Sequence, residues 1–295
     1  DQQDMKGAED KMLRSEADVV IFIPHHFERK MFKEHRSEVQ VLVNAINAMS
    51  AGIVNGYVNA IVLSLSKDII LDLKLTRQLA RYNTINTSYT FWYNQDLNYK
   101  IYMLPGICVL LVSLVTMFLT AMNIVREREI GTIEQINVTP IFKYQFVIGK
   151  LIPFYIIGMF LLTIGISVGR LFYDVPINGS LFLLYFVATI YFAGALGIGL
   201  FISAISETQQ QVLFVSFLVL IIYIMMSGLF TPVESMPEWA QYLDLLNPFA
   251  YFIKAIRMIL LKGSGFMDLL REIGALSIYS FVVLTFAIKM YRKRN

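Results

Sequence analysis

Five apolar runs, at about 103–124, 148–169, 181–205, 211–230 and 273–290, dominate this chain. Each is close to the roughly 20 residues that a helix needs to cross a hydrocarbon core of about 30 Å. In such a core a backbone must satisfy its own hydrogen bonds, which a helix does residue by residue. Runs this long therefore read as membrane helices. At 56% hydrophobic residues, the 295-residue chain is too apolar for an ordinary soluble globule. A formal net charge of +3, with no concentrated basic stripe, excludes a nucleic-acid-binding role. The single cysteine, Cys108, lies inside the first run, which excludes an intrachain disulfide or a cysteine-based metal site.

Within the runs, Pro105 and Gly106 are expected in the opening turn of the first helix, where proline is tolerated. Lys150, near the start of the second, is expected to snorkel outward. In the third, Ala193 with Gly197 and Gly199 with Ser203 have the small-xxx-small spacing that lets helices approach closely. The 125–150 loop and the tail from Lys289 are both basic, and five spans place them on one side. The positive-inside rule makes that side cytoplasmic and puts residues 1–102 outside.

Residues 1–102 read as α/β. Val19–Ile23, ended by Pro24, is a strand, and Phe27–Phe32 gives one or two helical turns. Val39–Val43 is a second strand with Val39, Val41 and Val43 on one face. Asn47–Leu73 reads as a helix, with Met49, Ile53, Gly56, Tyr57, Ala60 and Ile61 at near three-to-four spacing. A further strand is expected around Tyr89–Tyr93. Between the last two spans, residues 229–262 are too polar for a clean span and too apolar for a free loop. Phe249–Leu261 reads as an amphipathic helix with Lys254 and Arg257 on one flank. Two readings stand: an interfacial helix on the outer surface, or a re-entrant hairpin covered by protein.

The longest polar interruption between spans is Arg126 to Pro140, Arg-Glu-Arg-Glu-Ile-Gly-Thr-Ile-Glu-Gln-Ile-Asn-Val-Thr-Pro. Arg126–Glu129 is a dense charged patch; Thr132 with Gln135 has capping-box spacing, and Pro140 stops the helix so begun. This run resembles the coupling-helix region of type 2 ABC exporter permeases, in the multidrug-efflux branch with a large extracytoplasmic domain. Leu246-Asn247-Pro248-Phe249-x-Tyr251, with Arg257 beyond it, resembles that family's signature before its last span. Ala17–Phe27 and Phe91-Trp92-Tyr93-Asn94 also resemble family segments, although Gln95 stands where the family often has proline.

The resemblance implies an α-helical polytopic membrane protein with six spans in full length, five visible here, and an N-terminal α/β extracytoplasmic domain. The domains are then 1–102 and 103–295, with a cytoplasmic coupling helix at about 130–140 and a re-entrant hairpin at about 229–262. A first span and its cytoplasmic lead-in would precede Asp1. Contact with a separate ATP-binding subunit falls to Arg126, Glu127, Arg128, Glu129, Gly131, Thr132, Glu134, Gln135, Thr139 and Pro140. The hairpin signature falls to Asn247, Pro248, Tyr251 and Arg257. The chain itself would hold no cofactor, with ATP and Mg bound by the partner subunit. Other implied partners are a second permease, identical or similar, a periplasmic adaptor, and membrane lipids. The implied location is the bacterial cytoplasmic (inner) membrane.

No His-Glu-x-x-His, no Gly-x-Ser-x-Gly and no Gly-x-x-x-x-Gly-Lys-Ser/Thr occurs, so neither hydrolysis nor ATP binding by this polypeptide is expected. Residues that suit a path for amphiphilic cargo are Thr116, Met117, Thr120, Tyr155, Met159, Tyr185, Tyr191, Ser216, Tyr223 and Met225. Plain helix packing suits them equally. Two rival functions remain: an ion-coupled secondary carrier, for which the middles of the five runs offer no ionisable group, and a non-transporting receptor that senses through residues 1–102.

Overall fold

The computed structural model describes residues 7, 11–14, 17–27, 29–30, 36–46, 48–72, 84–92, 98–131, 143–231, 233 and 236–290. The chain divides into two compact units, Asp1–Tyr102 and Met103–Asn295.

In the first unit, strand β1 (Val19–Phe22) pairs antiparallel with β2 (Arg36–Asn44), Val19 facing Val43 and Phe22 facing Gln40. Helix α1 (Ala48–Asp72) then crosses over to β3 (Thr84–Trp92), which runs parallel to β2 with Arg36 opposite Thr84 and Asn44 opposite Trp92. The sheet order is β1-β2-β3. A parallel pair requires such a crossover, and a helix is its usual form. Val39, Val41 and Val43 project from one face of β2 and are buried with Ala45, Ala51 and Val58. β3 begins five residues earlier than its apolar end indicates, because the polar residues Thr84–Ser88 are held by nine-residue pairing with β2.

The Ile53–Tyr57–Ile61 row whose spacing marks α1 as a helix is not the face that meets the sheet. Ala51, Val54, Val58 and Val62 pack inward, whereas Ile53, Tyr57 and Ile61 are exposed. β-Branched valines nest against the valine row of β2; the larger Ile/Tyr row occupies the opposite side of the helix.

In the second unit, five helices are long and apolar enough to cross a membrane. They are α2 (Tyr99–Ile130), α3 (Lys143–Tyr173), α4 (Leu181–Ile205), α5 (Gln209–Met226) and, after two shorter helices, the last helix of the chain. The shorter pair is α6 (Glu238–Asp244) and α7 (Pro248–Arg257), and the last is α8 (Leu270–Met290). Helix α2 starts earlier than the apolar run, because the Asn98 side chain accepts the Lys100 amide at 3.1 Å. Pro105 therefore lies inside α2, not in its opening turn. The ring removes one ladder hydrogen bond there.

Helix α4 is the hub. Tyr191, Phe192, Leu184, Leu200 and Ile202 are fully buried. A Cβ at Gly194 would lie 2.7 Å from Ser280 Oγ, and one at Gly197 would lie 3.1 Å from Val283, both on α8. At Gly199 it would lie 2.9 Å from the Met117 carbonyl of α2. Small residues thus bring two helices against α4 at backbone distance, as the spacing Gly197 and Gly199 belong to predicts. Ser280 also donates to the Ile190 carbonyl at 2.7 Å.

Between α5 and α8, helix α7 is packed largely inside the unit. Asn247 caps α7, accepting the Phe249 amide at 3.1 Å, and Pro248 occupies the first turn. Asn247 Nδ2 donates to the Tyr223 carbonyl of α5 at 2.8 Å and to Asp244 at 2.9 Å. Phe252 stacks on Tyr191 at 4.2 Å, while Phe249 meets Tyr191 edge-on at 5.9 Å. α7 continues into a π-helical turn, Met258–Lys262, which is entirely buried. A π turn displaces carbonyls from the regular ladder. Here Asn178 takes two of them, its amide bonding Leu260 O at 3.0 Å and its side chain Leu261 O at 2.8 Å.

The amphipathic flank expected for Lys254 and Arg257 is not a solvent face. Lys254 pairs at 3.0 Å with the buried Glu272 of α8, and Arg257 is itself buried. Helix α6, by contrast, exposes Trp239, Tyr242 and Leu243.

Gly199→Val should destabilise the second unit by about 1–3 kcal/mol, the usual cost of overpacking. A lowered thermal midpoint in detergent checks this. Gly52→Ala, which meets nothing within 4 Å, should leave the midpoint unchanged or raised, and equal midpoints for the two variants would refute the close α2–α4 approach. Asn247→Ala should cost about 1–3 kcal/mol, for a lost cap and a lost interhelical hydrogen bond, read by the same midpoint.

Candidate functional site: a polar junction at one end of the helices

The charged patch is not a loop. Arg126–Glu129 form the last turn of α2, which ends where Gly131 adopts φ +83° and its amide bonds the Arg128 carbonyl at 3.2 Å. Glycine occupies this left-handed closing position without steric cost. Four consecutive helical residues point in four directions, about 100° apart. One turn can therefore reach several neighbours at once.

Each of the four has a different destination. Arg126 is exposed. Glu127 forms an ion pair with Lys150 of α3, whose ammonium also lies 5.9 Å from the centre of the Phe146 ring. Lys150 is thus held between helices and does not snorkel freely, because the Glu127 carboxylate is within reach. Arg128 donates to the Ser206 carbonyl at 2.8 Å, at the C-terminal end of α4. Glu129 accepts the Gln209 backbone amide at 2.7 Å and the Gln209 side-chain amide as well.

The signs match the helix dipoles. A cation sits at the C-terminus of α4, where carbonyls lack partners, and an anion at the N-terminus of α5, where amides lack partners. The turn between α4 and α5 is itself built by capping. Thr208 accepts the Gln211 amide at 3.2 Å, and the Gln211 side chain accepts the Glu207 amide at 2.9 Å. Beneath the polar layer, Ile124, Val147, Leu200 and Ala287 form an apolar plug from α2, α3, α4 and α8. The ends of α2 and α8 thus share one end of the unit; residues 132–142 and the basic tail beyond Met290 lie outside the described residues.

Thr132, Glu134, Gln135, Thr139 and Pro140 lie outside the described residues, as does the capping box. The hairpin signature is brought together: Asn247 and Pro248 start α7, Tyr251 donates to the Leu245 carbonyl at 3.1 Å, and Arg257 lies buried a few turns on. Of the residues weighed for a cargo path, Thr116, Met117, Thr120, Tyr191 and Ser216 are fully buried. Thr116 and Thr120 bond carbonyls one turn back, at 2.8 and 2.7 Å. Tyr191 bonds Ser113, Tyr155 bonds Thr189 at 2.9 Å, and Tyr223 bonds Tyr279 at 3.1 Å. These threonine and tyrosine hydroxyls are thus paired within or between helices.

Sequence reasoning missed two partners of the charged turn, Ser206 and Gln209, and the capping residues Thr208 and Gln211 that build the turn they stand on. A signal was present. Thr208 and Gln211 have the same three-residue spacing as Thr132 and Gln135. Nothing in one dimension, however, brings residue 209 to residue 129.

A family model described as ABC-2 family transporter protein matches residues 1–289. The probable multidrug ABC transporter permease YbhR of Escherichia coli K12 is 30% identical over 276 residues, covering 94% of this chain and 73% of YbhR. The probable multidrug ABC transporter permease YbhS of the same strain is 27% identical over 250 residues, 83% of this chain and 64% of YbhS. The inner membrane transport permease YhhJ is 27% identical over 286 residues, 92% of this chain and 72% of YhhJ. A match across almost the whole chain joins the five apolar helices to the charged turn, and on that ground this multi-pass membrane protein belongs to the ABC-2 family of transporter proteins.

Proposed function

We propose that the chain is the permease subunit of an ATP-driven exporter whose ATP is hydrolysed, with Mg, by a separate subunit docked on residues 130–140. The observation that carries this reading is the polar junction. The last turn of α2, immediately before the proposed docking stretch, is tied to α3 through Lys150 and to the α4–α5 turn through Ser206 and Gln209. A push delivered just beyond Gly131 would reach three helices directly. A loop that merely connected two spans would need no such bracing. Two permeases, identical or similar, would pack side by side and alternate access as their helices tilt. The junction end faces the cytoplasm in this reading, residues 1–102 lie outside and can meet a periplasmic adaptor, and the membrane is a bacterial inner membrane.

Cargo is proposed as amphiphilic small molecules, drug-like or lipid-like. This rests on the multidrug names of YbhR and YbhS and on the absence, among the described residues, of ionisable groups in the middles of the spans. The ion-coupled alternative has one foothold, the buried Glu272 near the start of α8, which is paired with the partly exposed Lys254. An intramembrane carboxylate can mark an ion path, but this one is already neutralised by its lysine.

Purified in mild detergent from its own cell, the full-length protein should bring an ATP-binding subunit and ATPase activity with it. Thr132→Ala combined with Glu134→Ala should release that subunit. Absence of any such subunit under several mild conditions would sink the reading. Cargo export that survives ATP depletion and stops with a proton ionophore would establish the carrier instead.

A further inference from the structure

We propose that Gln209 is a positioning residue that makes the α4–α5 turn a second point of load transfer, moving the start of α5 together with the end of α2. The inference deepens the exporter reading and rests on it.

Three observations support it. First, Gln209 engages Glu129 twice, through its backbone amide at 2.7 Å and through its side chain, so the contact resists both translation and rotation. Arg128, the preceding residue, grips Ser206 on the other side of the same turn at 2.8 Å. Second, the turn is short and stiff. Ser206 ends α4 and Thr208 starts α5, with both side chains of the Thr208–Gln211 box satisfied by backbone amides. A displacement of Glu129 therefore has no slack loop in which to dissipate. Third, the junction is not a fully satisfied static joint. Ser206 Oγ and, one turn before Glu127, Asn123 Oδ1 are buried without a hydrogen-bond partner. Buried polar atoms are nearly always paired in packing that serves only stability. Atoms held without partners in this arrangement are free to gain them in another.

α5 is the helix that Asn247 grips through the Tyr223 carbonyl. Motion of α5 is thereby passed to α7 and its buried π turn. Gln209 would thus link the docking stretch to the hairpin at the opposite end of the helices.

The test uses the intact permease with its ATP-binding subunit in lipid nanodiscs, followed by hydrogen-exchange mass spectrometry with and without ATP plus vanadate. In the parent complex, nucleotide trapping should change exchange both in residues 132–140 and in residues 209–213. In Gln209→Pro, which removes both the backbone amide and the side-chain donor at the first position of α5, where proline is tolerated, the change at 132–140 should persist while that at 209–213 falls by roughly fivefold, the low end of couplings between sites. A response at 209–213 that is unaltered in the variant, or absent in the parent complex while 132–140 responds, overturns the inference. No response at 132–140 in the parent complex overturns instead the docking reading on which it rests. A second variant guards against simple misfolding: Glu129→Cys with Gln209→Cys, the native Cys108 being buried and out of reach. Reduced, it lacks the Glu129 acceptor and should behave like Gln209→Pro; oxidised, the disulfide should restore the response at 209–213. Failure of the disulfide to restore it also overturns the proposal.

Discussion

Close approach to α4 is the condition on which the second unit depends. In a hydrocarbon environment, helices gain little from burying apolar side chains against one another, since lipid is equally apolar. What distinguishes a neighbouring helix from lipid is dense packing and polar pairing. α4 supplies the first through Gly194, Gly197 and Gly199, which admit α8 and α2 to backbone distance. It supplies the second through Tyr191 with Ser113, and through the Ile190 carbonyl with Ser280. A helix with larger residues at those positions would hold its neighbours a side chain's width away, and the hydrogen bonds would not reach.

The same helix anchors the segment between α5 and α8. Tyr191 is shared: its hydroxyl faces Ser113 on α2, while its ring takes Phe252 face-to-face and Phe249 edge-on. The buried π turn after α7 is possible because Asn178, in the loop between α3 and α4, receives the carbonyls that the wider turn releases. Irregular backbone is tolerated where protein satisfies it. Here that protein is a two-residue approach, Asn178 and Gly179, the latter too close to the Ile259 carbonyl to carry a side chain.

At the other end, charge replaces packing. Four consecutive charged residues would be an awkward mutual burden on a strand, where alternate side chains share a face. On the last turn of a helix they are spread around the axis, so that Glu127, Arg128 and Glu129 each reach a separate partner while Arg126 is exposed. The two that meet helix termini are matched in sign to the exposed backbone groups there. This makes the end of α2 a rigid branch point, and it explains how one short stretch of sequence can act on three helices.

Much of this was legible in one dimension. Length and hydropathy identify the five long helices, because the thickness of a bilayer is an external ruler. A short apolar run ended by proline identifies β1, alternation identifies β2, and the contiguous charged run with its resemblance identifies the family. Three things were not legible. The inward face of α1 is not readable because both of its sides are apolar, Val54–Val58–Val62 on one and Ile53–Tyr57–Ile61 on the other, and only the valine row of β2 selects between them. The start of α2 was placed too late, since an Asn98 cap lies outside the apolar run that was used to find the helix. Lys150 reads as a snorkelling side chain because its partner is on another helix. Local chemistry, then, determined which segments are helices, where they stop, and to which family the chain belongs. Tertiary structure alone decided which residues meet: that Gln209 holds Glu129, that Lys254 neutralises Glu272, and that Phe252 stacks on Tyr191. Those pairings depend on how helices are arranged in space, and no spacing along the chain encodes a distance between them.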